Sequence, residues 1–190
     1  MSRITPKPDA HYPWYLRLMY KRQDRVYGQR LIPTQIWGRV PILLRRFLMC
    51  FRAFERPSSP LSPSLRALIT VRVSQINHCA FCVDFNSMRV LKQGDAEKKI
   101  EQLDRFQKSD VFTEPEKAAL AYSEAMTFSD REVDDALFDR LRQHYDDDAL
   151  VELTGLIALQ NASSKFNAAL DLPAQGLCRI SPRPPAEAAG

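Results

Sequence analysis

At 190 residues, with 45% hydrophobic and 26% charged side chains, the chain has the composition of one globular domain with a sizeable core, which excludes a wholly disordered chain. The net charge of +4 hides an asymmetry: residues 1–60 carry 12 Lys+Arg against 3 Asp+Glu, and the remainder carries 15 against 20. The longest apolar run, Val40 to Phe54, is broken by Arg45, Arg46 and Arg52, which excludes a membrane-spanning helix of about 20 apolar residues.

Only 6 glycines occur and alternating strand patterns are absent, so the chain is expected to be all-α. The basic first third reads as short helices divided by prolines. Tyr12 to Arg22 is aromatic-rich, Pro33 and Pro41 punctuate the stretch after it, and Pro41 opens a helix to about Phe54. Its arginines interrupt apolar helices (LLRRFLMCFRAF) without any nucleic-acid recognition motif. Docking of this basic part on the acidic remainder, within or between subunits, is therefore expected, rather than binding to nucleic acid or membrane. The proline-rich linker RPSSPLSPS comes next and supplies Ser62 or Ser64 as the following N-cap.

Leu65, Leu68, Ile69, Val73 and Ile76 place an apolar stripe on a helix over 64–77. Asn77 and His78 interrupt it, and a second helix is expected over 79–93, with Gly94 at its C-terminal cap. A charged helix over 95–106 comes next. Thr113 to Glu116 then forms a capping-box pattern, opening a helix in which Ala118, Ala121 and Ala125 permit close contact with a neighbour. Helices over 134–144 and 147–170 complete the series. The last passes from Leu150, Leu153, Leu156 and Ile157 into Gln160-Asn161-Ala162-Ser163-Ser164, a polar run that needs partners in a pocket, a subunit seam or water. The tail SPRPPAEAAG has the composition of a disordered segment.

The informative segment is INHCAFCVDFNSMRVLKQG, with Cys79 and Cys82 at the opening of a helix. Residues three apart there stand one turn apart, close enough for a disulfide. Unpaired N–H groups and the positive end of the helix dipole favour a thiolate, which attacks a peroxide or a disulfide. Two other readings of the pair are a structural zinc site and inert core cysteines. A zinc site usually adds a second close ligand pair, whereas Cys50, Cys178, His11, His78 and His144 are scattered singly. The opening MSRITPKPDAHYPWY lacks the apolar core of a secretory leader, so all four cysteines are expected in the reducing cytoplasm, where a close pair is catalytic or metal-binding.

VRVSQINHCAFCVDFN, FTEPEKAALAYSEAMT and LVELTGLIALQNASSKFNAAL, in that order, resemble the alkylhydroperoxidase D-like branch of the carboxymuconolactone decarboxylase family. The resemblance covers about residues 60–172. It implies an all-α, single-domain fold that forms homo-oligomers, with residues 1–60 as a basic helical extension packing on the core, 61–172 as the core and 173–190 as a partly disordered tail. By the same resemblance the second cysteine, Cys82, attacks the peroxide and the first, Cys79, resolves it. Two positions depart from the family pattern: the histidine four residues after the second cysteine is Asn86, and the relay glutamate twelve residues before the first is Ala67. Asparagine cannot accept a proton at neutral pH, so the family's proton relay does not transfer. His78 and Asp84 are the nearest titratable groups in sequence, and Glu116, Glu124 and Glu152 lie on other helices.

These observations predict a thiol-dependent peroxidase or disulfide reductase of antioxidant defence, with Cys82, Cys79, His78 and Asn86 as site residues. It needs no bound cofactor or metal. Its partners are a hydroperoxide or disulfide substrate, a dithiol electron donor and copies of itself. The competing expectation is a catalytically weak oligomeric scaffold that senses redox state or binds a small ligand.

Overall fold

Prolines and polar caps set most of the helix boundaries. In the computed structural model, which describes residues 2–91 and 96–179, α1 (Trp14–Tyr27) ends at Gly28, whose φ of 70° is the left-handed conformation that glycine adopts without a Cβ clash. The short α2 (Ile32–Trp37) carries a proline in its first turn, and α3 (Pro41–Phe54) opens on Pro41 as the sequence predicts. Of the two candidate caps in the linker it is Ser62 that accepts from the Leu65 N–H and opens α4 (Pro63–Ile76). Then come α5 (Ala80–Val90), with Cys79 as its N-cap, α6 (Ala96–Glu101), α7 (Glu114–Ala125), α8 (Asp135–Arg142) and α9 (Asp147–Ala169). The capping box is present: Thr113 accepts from the Glu116 N–H, and the Glu116 carboxylate accepts from the Thr113 N–H. Nine α-helices and no strand occur among the described residues.

The charged helix expected over 95–106 is not continuous. A 3-10 segment, Leu103–Lys108, follows α6, and Arg105 departs from helical geometry. Ile100, Leu103 and Phe106 are all buried, and their three-residue spacing is the repeat of a 3-10 turn, not of an α-helix. Gly94 and the tail SPRPPAEAAG lie outside the described residues.

Helix α4 is the axis of the molecule. Every residue from Leu65 to Gln75 is buried, because α5, α7 and α9 pack around it. Its apolar members join those of α7 and α9 in the main core with Leu68, Val71, Leu120, Leu153 and Ile157. Arg72 of α4 reaches Glu124 of α7 and Gln75, and Arg66 donates through one terminal nitrogen to the Leu61 carbonyl.

Helices α1–α3 form a second, aromatic cluster of Tyr12, Leu16, Tyr20, Trp37 and Leu44, closed by Phe166 of α9. The Trp37 and Phe166 ring centroids are 4.0 Å apart, and Trp37 stacks on Phe47 at 4.7 Å. Gly155 lets α3 close on α9, since a Cβ there would stand 3.0 Å from the Phe54 ring. The expected charge docking is a minor contributor within the chain. Among the described residues the ion pairs joining residues 1–60 to the rest are Arg56–Glu152 and, in the opposite sense, Glu55–Arg89. Aromatic and aliphatic burial, at about 1.5–3 kcal/mol per fully buried large side chain, holds this layer in place.

Candidate active site

Three helices bring the dithiol together with a cavity. The α4–α5 turn carries Cys79. His78 there has a φ of 52°, and the turn is tied to α9 because the Asn77 amide donates to Asn161 and Ser164, 2.8 Å each. Cys79 and Cys82 are joined in a disulfide with Cα atoms 5.2 Å apart. Both are buried, at 1% and 4% exposure. Each sulfur also accepts a hydrogen bond: Cys79 Sγ from the Cys82 N–H at 3.2 Å, and Cys82 Sγ from Asn167 Nδ2 at 3.3 Å. The first is the unpaired helix N-terminus acting on sulfur. The second comes from the end of the long helix α9.

Asn167 is fixed in turn. Its Oδ1 accepts from Trp37 Nε1 at 3.0 Å, which settles the amide orientation and leaves its N–H aimed at Cys82. The chain Trp37–Asn167–Cys82 thus links the N-terminal layer to the disulfide. The sequence alone placed neither Trp37 nor Asn167 at the site. The available signal was a polar residue near the end of an otherwise buried helix, and the expected polar run stops three residues short of it.

A cavity of about 510 Å³ opens beside Cys82, within the range of sites for small organic ligands. Cys82, Phe81, Phe85 and Asn86 of α5 and Gln160, Ser163 and Asn167 of α9 line it on one side. Trp37, Leu44, Phe47, Leu48 and Phe51 line it from the N-terminal layer. Cys79 is not among the lining residues. The polar run of α9 therefore divides. Gln160 and Ser163 face the cavity, while Asn161 and Ser164 hold the Asn77 turn.

Asn86 is buried one turn beyond Cys82 and donates weakly to Ser74 Oγ at 3.5 Å, which also accepts from Gln160 at 2.9 Å. His78 is exposed and off the cavity. Asp84 is a structural clamp: its carboxylate accepts from the backbone N–H groups of Gln175, Leu177 and Cys178 at 2.7, 3.1 and 2.7 Å. This holds Leu177 against the cluster around the dithiol. The three glutamates on other helices are all committed to ion pairs, Glu116 to Lys99, Glu124 to Arg72 and Arg131, and Glu152 to Arg56. Ala67 is buried and faces a separate cavity of about 290 Å³ shared with Phe85 and Arg89. Among the described residues no group of three or more His, Cys, Asp or Glu side chains is placed to hold a metal ion, and no helix is long and apolar enough to cross a membrane. Cys50 is exposed and far from the pair in sequence.

Comparison with known proteins agrees with this architecture. The sequence profile of the carboxymuconolactone decarboxylase family matches residues 43–125. The protein YnjA of Escherichia coli strain K12 is 42% identical over 173 residues, covering 91% of this chain and 95% of its own. An alkylhydroperoxidase AhpD core, a peroxidase-related protein from Ralstonia eutropha JMP134, superposes with a TM-score of 0.82 at 20% identity, over 96% of this chain and 98% of that one. The debrominase Bmp8 superposes with a TM-score of 0.79 at 24% identity, over 92% of both chains, and a variant of it has been solved with 2,3,4-tribromopyrrole. With a helical alkylhydroperoxidase D-like fold built around Cys79 and Cys82, the chain belongs to the carboxymuconolactone decarboxylase family.

Proposed function

We propose that the protein is a thiol-dependent oxidoreductase that reduces organic hydroperoxides, with Cys82 attacking and Cys79 resolving. The observation that carries this reading is that Cys82, and not Cys79, lines the 510 Å³ cavity while Asn167 donates to its sulfur. The reduced Cys82 thiolate attacks the terminal oxygen of the hydroperoxide, and the O–O bond breaks. The organic oxygen takes a proton and leaves as the alcohol, and Cys82 becomes a sulfenic acid. Cys79 then attacks that sulfur, water leaves and the disulfide forms. An external dithiol returns both cysteines to the reduced state by exchange. The Cys82 N–H that faces Cys79 Sγ favours the second thiolate in the same way that Asn167 favours the first.

A second reading has its own support. The described residues lining the cavity include no carboxylate and no imidazole, so a base for rapid proton transfer is missing there, as suits a redox-sensing or ligand-binding scaffold. Stopped-flow mixing of pre-reduced protein with cumene hydroperoxide, followed by mass spectrometry, separates the two. The expected result is peroxide consumption with an intramolecular Cys79–Cys82 disulfide. Cys82→Ser should abolish it, and Cys79→Ser should leave one turnover ending at the sulfenic acid. Full turnover by either variant would refute the roles, and unreacted wild-type thiols would leave the scaffold. Because the same fold serves in a debrominase, bromide release from tribromopyrrole belongs in the same experiment.

A further inference from the structure

The cavity beside Cys82 has a second chemical feature in its lining. Arg22 of α1 and Arg52 of α3 both line it, and both are exposed. Neither side chain forms an ion pair, hydrogen bond or ring contact among the described residues. Arg25 and Arg45, on the same two helices, also lack a side-chain partner among the described residues but do not line the cavity, so it is the lining that sets Arg22 and Arg52 apart. The rest of the lining is mainly apolar and aromatic, with neutral polar groups at Gln23, Thr34, Asn86, Gln160, Ser163 and Asn167, and no described lining residue is acidic. One continuous cavity therefore offers a buried thiol, an apolar body and two unpaired guanidinium groups at the solvent side.

We propose that the cavity selects an amphipathic carboxylate, with its apolar body among Trp37, Phe47 and Phe51 and its carboxylate at Arg22 and Arg52. This deepens the proposed activity and rests on it for the reacting end: the substrate is an acyl or arylalkyl acid that bears its hydroperoxide away from the carboxylate. The physical reasons are simple. A guanidinium presents a planar fork of donors that fits a carboxylate. The apolar wall supplies most of the affinity, and the charged group sets the direction of entry. An anionic head held at the mouth leaves the opposite end of the molecule to reach Cys82.

Binding is measured first, on the oxidised protein, so that turnover plays no part. Calorimetric titration with 4-phenylbutyrate and with the neutral 4-phenylbutanol should show the acid bound about tenfold more tightly, since an exposed pair adds up to about fivefold per cation. That preference should vanish in Arg22→Gln/Arg52→Gln. It should pass to 4-phenylbutylamine in Arg22→Glu/Arg52→Glu, and it should shrink as salt approaches about 1 M, where the screening length falls to about 3 Å. Equal binding of acid and alcohol by the wild type, or an acid preference that survives the double substitution, overturns the proposal. The second arm compares kcat/KM for 13-hydroperoxyoctadecadienoic acid and its methyl ester, and the ratio should fall about tenfold in the Gln variant. If no hydroperoxide turns over but the acid preference tracks the arginines, the carboxylate site stands and the peroxidase reading falls.

Discussion

Replacing Asn167 by leucine removes the side-chain donor that faces Cys82 Sγ at 3.3 Å and the acceptor that Trp37 Nε1 uses at 3.0 Å. A net hydrogen bond to a charged group contributes about 1.5–3 kcal/mol. A soft sulfur acceptor puts this one near the lower end, and about 1.4 kcal/mol corresponds to one pKa unit. Asn167→Leu should therefore raise the Cys82 thiol by about one unit in the reduced protein. It should also cost about 1–3 kcal/mol of stability, because the buried indole N–H of Trp37 loses its partner. Asn167→Asp separates the two effects. Its carboxylate still accepts from Trp37, so stability is largely kept, but a negative charge now faces the thiolate and raises its pKa further.

The assay is the rate of Cys82 alkylation against pH, resolved by peptide mass spectrometry on pre-reduced protein, beside urea unfolding of each variant. The expected order of thiol pKa is wild type, then Asn167→Leu, then Asn167→Asp. If both variants alkylate with the wild-type profile, Asn167 does not stabilise the reduced thiolate, and the argument that this residue activates Cys82 is refuted. If Trp37→Phe, which frees the Asn167 amide to turn, raises the pKa as well, the whole Trp37–Asn167–Cys82 chain acts as a unit.

The remaining predictions concern proton transfer, the buried ion pair and alkaline stability. Asn86→His puts an imidazole one turn from Cys82, on the cavity, and should speed peroxide reduction roughly tenfold near pH 7; general-base help reaches a hundredfold when well oriented, but Ala67 leaves the ring without a carboxylate. Glu124→Ala strands the buried Arg72 guanidinium and should cost about 3–5 kcal/mol in urea unfolding, whereas Arg72→Met with Glu124→Leu should be far milder. Burial pushes the Tyr145 phenol up to about 12, so the fold holds it neutral. Its contribution is complete below the ordinary phenol value of about 10 and is lost as pH rises from there through about 12, a decline that Tyr145→Phe should remove from the pH dependence of thermal unfolding.

The features legible in the sequence are those set by local interactions. Helix ends depend on neighbours within one turn, so Pro41, the Thr113 capping box and the start of α9 are where the residues place them. The dithiol was legible for the same reason, since Cys79 and Cys82 need only the first turn of α5. The interior of α4 was not. Its apolar stripe predicts one buried face, yet Arg66, Arg72 and Gln75 are buried too, because Arg72 finds Glu124 of α7 and Arg66 finds the Leu61 carbonyl of the linker. No pattern within α4 records those partners.

The cavity lies further still from local signals. Its walls pair residues more than a hundred positions apart, such as Trp37 with Asn167, and the aromatic N-terminal third, most of which precedes the stretch matched by the family profile, supplies much of the lining. Charge asymmetry pointed to that third but suggested electrostatic docking. The arginines are instead left outside while Tyr20, Trp37 and Leu44 go in, because burying a guanidinium without a partner costs far more than leaving it in water. The excess positive charge of residues 1–60 is thus the remainder of an aromatic packing problem. Where that remainder meets the open end of the cavity, at Arg22 and Arg52, it becomes available to a ligand. On the proposed activity, the thiol chemistry belongs to the family core and the proposed choice of substrate to the helices that precede it.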